Sequence, residues 1–104
     1  MVGYDLKEEI MFRITNQKGF HITFENGWTV SVQFGPGNYA DNYNMRIRDD
    51  NEEAGKKGSR TAECAVWGPK GDMEAHPLFE GNTVSNRSTP SDVLELLNWA
   101  AMQK

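Results

Sequence analysis

Residues 20–34 alternate between large apolar and polar side chains, and this alternation constrains the fold more than any other feature. In the segments 20–24 and 28–34, every large apolar residue has an even number and every polar residue has an odd number. This period of two is typical of a β-strand with one buried face. Because a shift of one residue would move every apolar side chain to the opposite face, the pattern also restricts how the strands can pair.

The loop between these segments is residues 25–27. A two-residue Asn26-Gly27 turn would place apolar residues opposite polar ones. A three-residue loop that ends in a left-handed Gly27 keeps the faces separate and pairs Ile22 with Val30. The sequence therefore predicts an antiparallel hairpin with one apolar face.

Two further loops end in glycine, at residues 17–19 and 69–71. The first would set Ile14 opposite Ile22 and would add another strand to the same face. The second has proline at its first position and glycine at its third, which favours a turn between two strands. Further strand segments are predicted at 43–48, 61–67, 72–75 and 83–85.

The C-terminal segment carries the signals of a helix start. Thr89 can cap the backbone amide of Asp92, and Pro90 suits the first helical position. The sequence predicts a helix from Pro90 to Met102 that lies across the apolar face of the sheet. Its predicted apolar stripe consists of Val93, Leu94, Leu97, Ala100 and Ala101.

Together these elements predict an α+β fold, with an antiparallel meander sheet of four to six strands and one C-terminal helix packed on one face. The 104 residues, 38% of them hydrophobic and 25% charged, predict a single domain over residues 1–104. Cys64 is the lone cysteine and shares the even parity of the apolar face, so we expect a small buried hydrophobe. A lone cysteine and the lack of a long apolar run predict a cytoplasmic protein without membrane contact.

Charge restricts the classes of partner. The net charge is −4 at pH 7, whereas nucleic-acid binders concentrate Lys and Arg, so direct nucleic-acid binding is not expected. Residues 49–59 mix both signs of charge without apolar periodicity, which predicts a mobile charged loop. An alternative for this loop is mimicry of nucleic acid toward a basic enzyme, with carboxylates in place of phosphates: Asp49, Asp50, Glu52 and Glu53.

No motif for catalysis, for a metal or for a cofactor is present. His21 and His76 have no Cys, Asp or Glu at a spacing that resembles a zinc site. We therefore expect no enzyme, no cofactor and no metal. The alternative is a small nucleotide hydrolase in which His21 or His76 is the general base, but the sequence does not place the second group that proton transfer needs.

The long connection after residue 34 holds the best candidates for binding, because such connections often carry function in small domains. Tyrosine and arginine are the side chains that most often anchor interfaces. Arg87 and the hydroxyls at the helix start form a candidate phosphate-binding site. The alternative is that these hydroxyls serve only in ordinary helix capping. The candidate binding residues are Asn38, Tyr39, Tyr43, Arg46, Arg48, Arg87, Ser88 and Thr89.

Two segments carry a resemblance to a known group of proteins. Residues 20–39, FHITFENGWTVSVQFGPGNY, together with residues 88–94, STPSDVL, resemble a family of small proteins encoded by tailed bacteriophages. The resemblance covers most of the chain apart from the charged segment, and it brings no catalytic motif. It implies expression in the cytoplasm of a bacterial host and a role in binding and blocking a host component.

The sequence and the resemblance together predict a non-catalytic binding protein that inhibits a bacterial defence component. Its partner would be a bacterial host protein, whose surface it blocks, or a small nucleotide signal, which it sequesters. Self-association into a homo-oligomer is compatible with the sequence.

Overall fold

A computed structural model of the protein describes residues 10–15, 18–44, 58–72, 76, 79 and 82–104. The described strands are β1 (Phe12–Thr15), β2 (Gly19–Thr23), β3 (Thr29–Gln33) and β4 (Glu63–Trp67), followed by helix α1 (Pro90–Ala101). The strands form one antiparallel sheet in the order β1-β2-β3-β4. The predicted α+β class, the meander sheet and the C-terminal helix are thus confirmed.

The central hairpin has the predicted register. Ile22 lies opposite Val30 in the β2–β3 pair, and Gly27 has a φ of 85° at the third position of the loop. The amide of Phe24 donates to the carbonyl of Trp28 at 2.9 Å, which closes the three-residue loop. The large apolar side chains of both strands therefore share one face, which we call the apolar face, and the odd-numbered residues form the polar face.

The predicted register of the first hairpin is wrong by two residues. Ile14 lies opposite Phe20 rather than Ile22, and Gly19 belongs to β2. A Cβ atom on Gly19 would lie 2.0 Å from the carbonyl oxygen of Val32, so this glycine permits close packing of backbone against β3 instead of forming the turn. A shift of two residues preserves parity, and the apolar face is retained.

The outer edge of β4 is lined by two isolated antiparallel bridges. Ala65 bridges to Val84 and Ala62 bridges to Ser88. The strand predicted at 83–85 is therefore a single bridge, and the strand predicted at 61–67 is shortened to β4. Both changes follow from the short stretch of chain that meets this edge before α1 begins.

Two other predicted strands are only partly described. The 69–71 turn forms as predicted, with a φ of 87° at Gly71, but Asp72 is not in a strand and residues 73–75 lie outside the described residues. Of the segment 43–48, Tyr43 and Asn44 are in turns and the rest is not described. Residues 49–57 of the predicted charged loop also lie outside the described part of the chain.

The core lies between the apolar face and α1. Its buried hydrophobic residues are Val30, Val32, Ala62, Cys64, Val66, Phe79, Leu96 and Ala100. Cys64 is buried as predicted, and burial raises the pKa of its thiol to about 11. A thiol of that pKa stays protonated near neutral pH and packs as a small apolar group.

The predicted apolar stripe of the helix is partly correct, because Ala100 is in the core and Val93 and Leu97 pack against it. The remaining positions differ from the prediction. Leu96 is 1% exposed and Ala100 is buried, whereas Leu94 is 59% exposed and Ala101 is also exposed. The helix ends at Ala101, one residue before the predicted end. A periodic stripe alone does not decide between neighbouring positions such as Leu94 and Leu96.

Side-chain hydrogen bonds satisfy backbone groups at both ends of α1. At the start, the amide of Asp92 donates to Thr89 Oγ1 at 3.2 Å and the amide of Thr89 donates to Asp92 Oδ2 at 3.0 Å, a capping box. At the end, Asn26 Nδ2 donates to the carbonyls of Ala100 at 2.8 Å and Gln103 at 2.7 Å. The turn of the central hairpin therefore caps the last turn of the helix.

The helix covers only part of the apolar face. It contacts β3, while Phe12 and Ile14 on the edge strand β1 are 69% and 81% exposed. Among the described residues, no helix is both long and apolar enough to cross a lipid bilayer.

The orientation of α1 predicts a difference between two neighbouring leucines. Leu96→Ala should lower the free energy of unfolding by about 2–5 kcal/mol, because it leaves a cavity in the core. Leu94→Ala is the matched control and should change it by about 0.5 kcal/mol or less, because that side chain is largely exposed. Urea unfolding followed by tryptophan fluorescence measures both, and equal losses would contradict the orientation.

The contact at the end of α1 predicts the effect of a nearly isosteric change. Asn26→Asp should lower the free energy of unfolding by about 1–3 kcal/mol, because a carboxylate cannot donate to the helix carbonyls and faces the negative end of the helix dipole. Asn86→Asp is the control, since Asn86 uses its side-chain oxygen only as an acceptor toward Arg87. Thermal unfolding measures the stability of both variants. Equal stability of the two would contradict this role of Asn26.

Candidate functional site

Four of the predicted binding residues surround one cavity at the outer side of β4. The cavity has a volume of about 640 Å³ and is lined by Gly37, Asn38, Tyr39, Tyr43, Glu63, Val84 and Arg87. The predicted members are Asn38, Tyr39, Tyr43 and Arg87. We call this site the tyrosine–arginine cavity.

The loop that carries the two tyrosines is built from successive turns after β3. Gly35 and Gly37 have positive φ angles of 77° and 87°, which these turns require. The buried side chain of Asn42 accepts the amide of Gly35 at 3.0 Å, and Asn38 Nδ2 donates to the carbonyl of Phe34 at 2.8 Å. Side-chain amides therefore stabilise the backbone of this loop, which is not paired with a strand of the sheet.

The same loop is attached to the start of β4 and to the segment before α1. The amide of Tyr39 donates to Glu63 Oε2 at 2.9 Å, and its carbonyl accepts the amide of Arg87 at 2.9 Å. The amide of Asp41 donates to Thr61 Oγ1 at 2.9 Å. Tyr39 and Tyr43 are 57% and 54% exposed. Their side chains are therefore accessible to solvent, while hydrogen bonds fix the backbone of the loop.

Arg87 combines backbone strain with an ordered side chain. Its φ is 55°, the only positive value among the described residues that are not glycine. Its Nε lies 3.2 Å from Asp41 Oδ1, and its guanidinium carbon lies 5.8 Å from the ring centroid of Tyr43. A left-handed conformation costs about 1–2 kcal/mol for a residue with a Cβ atom, and such strain clusters at functional sites.

The charges around the cavity are mixed. Asp41 forms an ion pair with Arg87, and Glu63 is a second carboxylate that lines the same cavity as Arg87. An incoming phosphate would meet more negative than positive charge in this described part of the site. The arrangement suits a partner that brings hydrogen-bond donors and an aromatic or aliphatic contact.

The remaining predicted binding residues are placed elsewhere. Ser88 is buried and pairs its backbone with Ala62, and the amide and hydroxyl of Thr89 are used in the capping box. The helix start therefore has its capping groups occupied from within the chain. Arg46 and Arg48 lie outside the described residues.

Glu63 and Asp41 are the members of this site that sequence analysis did not select. Glu63 lies on the polar face at the start of β4, where a charged residue is ordinary, and Asp41 lies in the loop after β3 without a motif around it. Only the hydrogen bond from Tyr39 to Glu63 and the ion pair of Asp41 with Arg87 reveal their positions. No local sequence signal would have found them.

The two histidines lie away from the tyrosine–arginine cavity. His21 is on the polar face with its ring edge-on to Trp67 at 5.0 Å, and burial, with a smaller effect of Arg13, lowers the pKa of its imidazole. His76 is buried against the rings of Phe79 and Trp99 at 5.9 and 5.0 Å. In the described part of the chain, no group of three or more His, Cys, Asp or Glu side chains could hold a metal ion.

The strain at Arg87 predicts a difference between two substitutions. Arg87→Gly should be more stable than Arg87→Ala by about 1 kcal/mol, because both remove the guanidinium and only glycine adopts a positive φ without a steric cost. Chemical unfolding of the two variants measures the difference. An alanine variant as stable as the glycine variant would show that the left-handed conformation is not retained in solution.

Comparison of the chain with protein-family models, curated proteins and solved structures gave no match. The residues and the geometry of the site are therefore the basis on which a function can be assigned.

Proposed function

We propose that the protein is a non-catalytic binding protein that uses the tyrosine–arginine cavity to attach to the surface of another protein and block it. The observation that supports this proposal is Arg87, which has a left-handed backbone and lies between a carboxylate and an exposed tyrosine ring. A left-handed conformation is costly for a residue with a Cβ atom, and the side chain of Arg87 lies at the surface, so recognition of a partner is the benefit that we infer.

The way in which the tyrosines are presented favours a protein partner. Tyrosine buries a large area on binding and has few rotatable bonds to immobilise. The backbone of Tyr39 is held by bonds to Glu63 and Arg87, so little further ordering is needed when a partner docks. Preorganised aromatic side chains beside an arginine have the composition of interface hot spots.

Sequestration of a nucleotide signal is less well supported at this cavity. A nucleotide brings at least one phosphate, and the carboxylates of Asp41 and Glu63 would repel it. A protein surface can instead satisfy these carboxylates with its own Lys, Arg or amide groups, so the mixed charge favours the protein partner.

The resemblance of residues 20–39 and 88–94 to small proteins of tailed bacteriophages indicates the biological setting of the proposal. In that setting the protein acts in the cytoplasm of a bacterial host, and its target is a host protein that belongs to a defence system. This part of the proposal rests on the resemblance alone.

The test is to identify the host partner by affinity purification from bacterial cells and then to measure its affinity for purified variants. Tyr39→Ala, Tyr43→Ala and Arg87→Gly should each weaken binding about tenfold or more, because each removes an anchor side chain worth roughly 1–2 kcal/mol or more. Phe12→Ala is the control: that ring is at least as exposed as the two tyrosines but lies on β1, so the affinity should not change.

Two outcomes would contradict the proposal. If the variants at the cavity bind as tightly as the wild-type chain while Phe12→Ala does not, the binding surface lies elsewhere. If native mass spectrometry of the purified protein finds a nucleotide and substoichiometric protein converts it to product, the protein is a hydrolase. Circular dichroism of each variant establishes that the fold is intact.

A further inference from the structure

A second cavity lies on the polar face of the sheet, away from the tyrosine–arginine cavity. Its volume is about 290 Å³, and we call it the polar-face cavity. The described residues that line it are Arg13, His21, Thr23, Gly27, Thr29, Trp67, Gly68, Pro69 and Gly71. Two hairpin turns, at residues 25–27 and 69–71, contribute to its lining.

The strand register explains why the polar side chains converge. Arg13 on β1 lies opposite His21 on β2, Thr23 on β2 lies opposite Thr29 on β3, and Thr29 lies opposite Trp67 on β4. All of these residues are odd-numbered and therefore point to the same side of the sheet. The cavity thus crosses all four strands and receives a side chain from each.

The charge of the polar-face cavity is of one sign. Arg13 contributes a guanidinium, and none of the described lining residues is acidic, although the whole chain carries a net charge of −4. Among the described residues the one ion pair is that of Arg87 with Asp41, so the Arg13 guanidinium is not paired with a described carboxylate. The described lining therefore carries positive charge and no negative charge.

The neutral side chains of the cavity supply further hydrogen-bond donors. Thr23 Oγ1 and Thr29 Oγ1 lie 2.9 Å apart, and since one hydroxyl donates to the other, the proton of the accepting hydroxyl is directed elsewhere. The imidazole of His21, whose pKa is lowered by burial and by Arg13, carries one N–H at neutral pH. Its edge-on contact with Trp67 restricts its orientation.

We propose that the polar-face cavity is a binding site for the oxyanion group, a phosphate or a carboxylate, of a small molecule. The guanidinium of Arg13 forms the ion pair, and His21 and the threonine hydroxyl pair donate hydrogen bonds. The volume is at the lower end of the range of about 300–1,000 Å³ for ligand pockets, which fits a small metabolite. This site is separate from the protein-binding surface proposed above, so either proposal can fail without the other.

The experiment is a titration of the full-length ¹⁵N-labelled protein with inorganic phosphate and, in a second arm, with acetate, followed by two-dimensional NMR. Sodium chloride at matched ionic strength is the control for screening. We expect phosphate or acetate to shift the signals of His21 and of the Trp67 indole in a saturable way, while chloride does not. Saturation by phosphate alone identifies a phosphate site, and saturation by both identifies a general oxyanion site.

Two variants locate the site. Arg13→Gln should weaken anion binding about tenfold or more, since it removes the one charged partner in the described lining, and the exposure of Arg13 should leave the fold intact. Arg60→Gln removes an equally exposed arginine that does not line this cavity and should leave binding unchanged. Shifts that chloride reproduces, or saturable binding that Arg13→Gln leaves intact, would overturn the proposal.

Discussion

The side chain of Asn26 joins the two parts of this fold, and the position of the helix depends on it. Its oxygen accepts the amide of Trp28 inside the hairpin loop, and its nitrogen donates to the carbonyls of Ala100 and Gln103. Carbonyls in the last turn of a helix have no partner within the helix, so a donor from the sheet satisfies them and fixes the distance between the two elements. The contact holds the end of α1 beside the hairpin, in an orientation in which Leu96 is buried and Leu94 is exposed.

The sequence predicts the elements whose geometry is determined by neighbouring residues. The β2–β3 register follows from parity, because a shift of one residue would expose Ile22 and Val30, and the helix start follows from the order of Thr89, Pro90 and Asp92. The first hairpin could not be predicted in this way. A register shifted by two residues preserves parity, and the role of Gly19 depends on its close approach to Val32 on the neighbouring strand β3.

The candidate site depends even more on distant contacts. Residues 38–43 and residue 87 meet because the loop after β3 and the segment before α1 both attach to the β4 side of the sheet. Composition was enough to select Tyr39, Tyr43 and Arg87 as candidate contacts. Their grouping around one cavity, and the anchoring role of Glu63, depend on hydrogen bonds between segments about 20 to 50 residues apart, which no local pattern encodes.

The two cavities differ in electrostatics, and this difference bears on what each can bind. In the tyrosine–arginine cavity the guanidinium is already paired with Asp41 and a second carboxylate lies nearby, so a ligand gains little from negative charge. In the polar-face cavity the guanidinium of Arg13 has no acidic residue beside it in the described lining. A new anion must compete with Asp41 for the guanidinium of Arg87, whereas no described lining residue competes for the guanidinium of Arg13. The same residue type therefore favours a protein surface at one site and a small anion at the other.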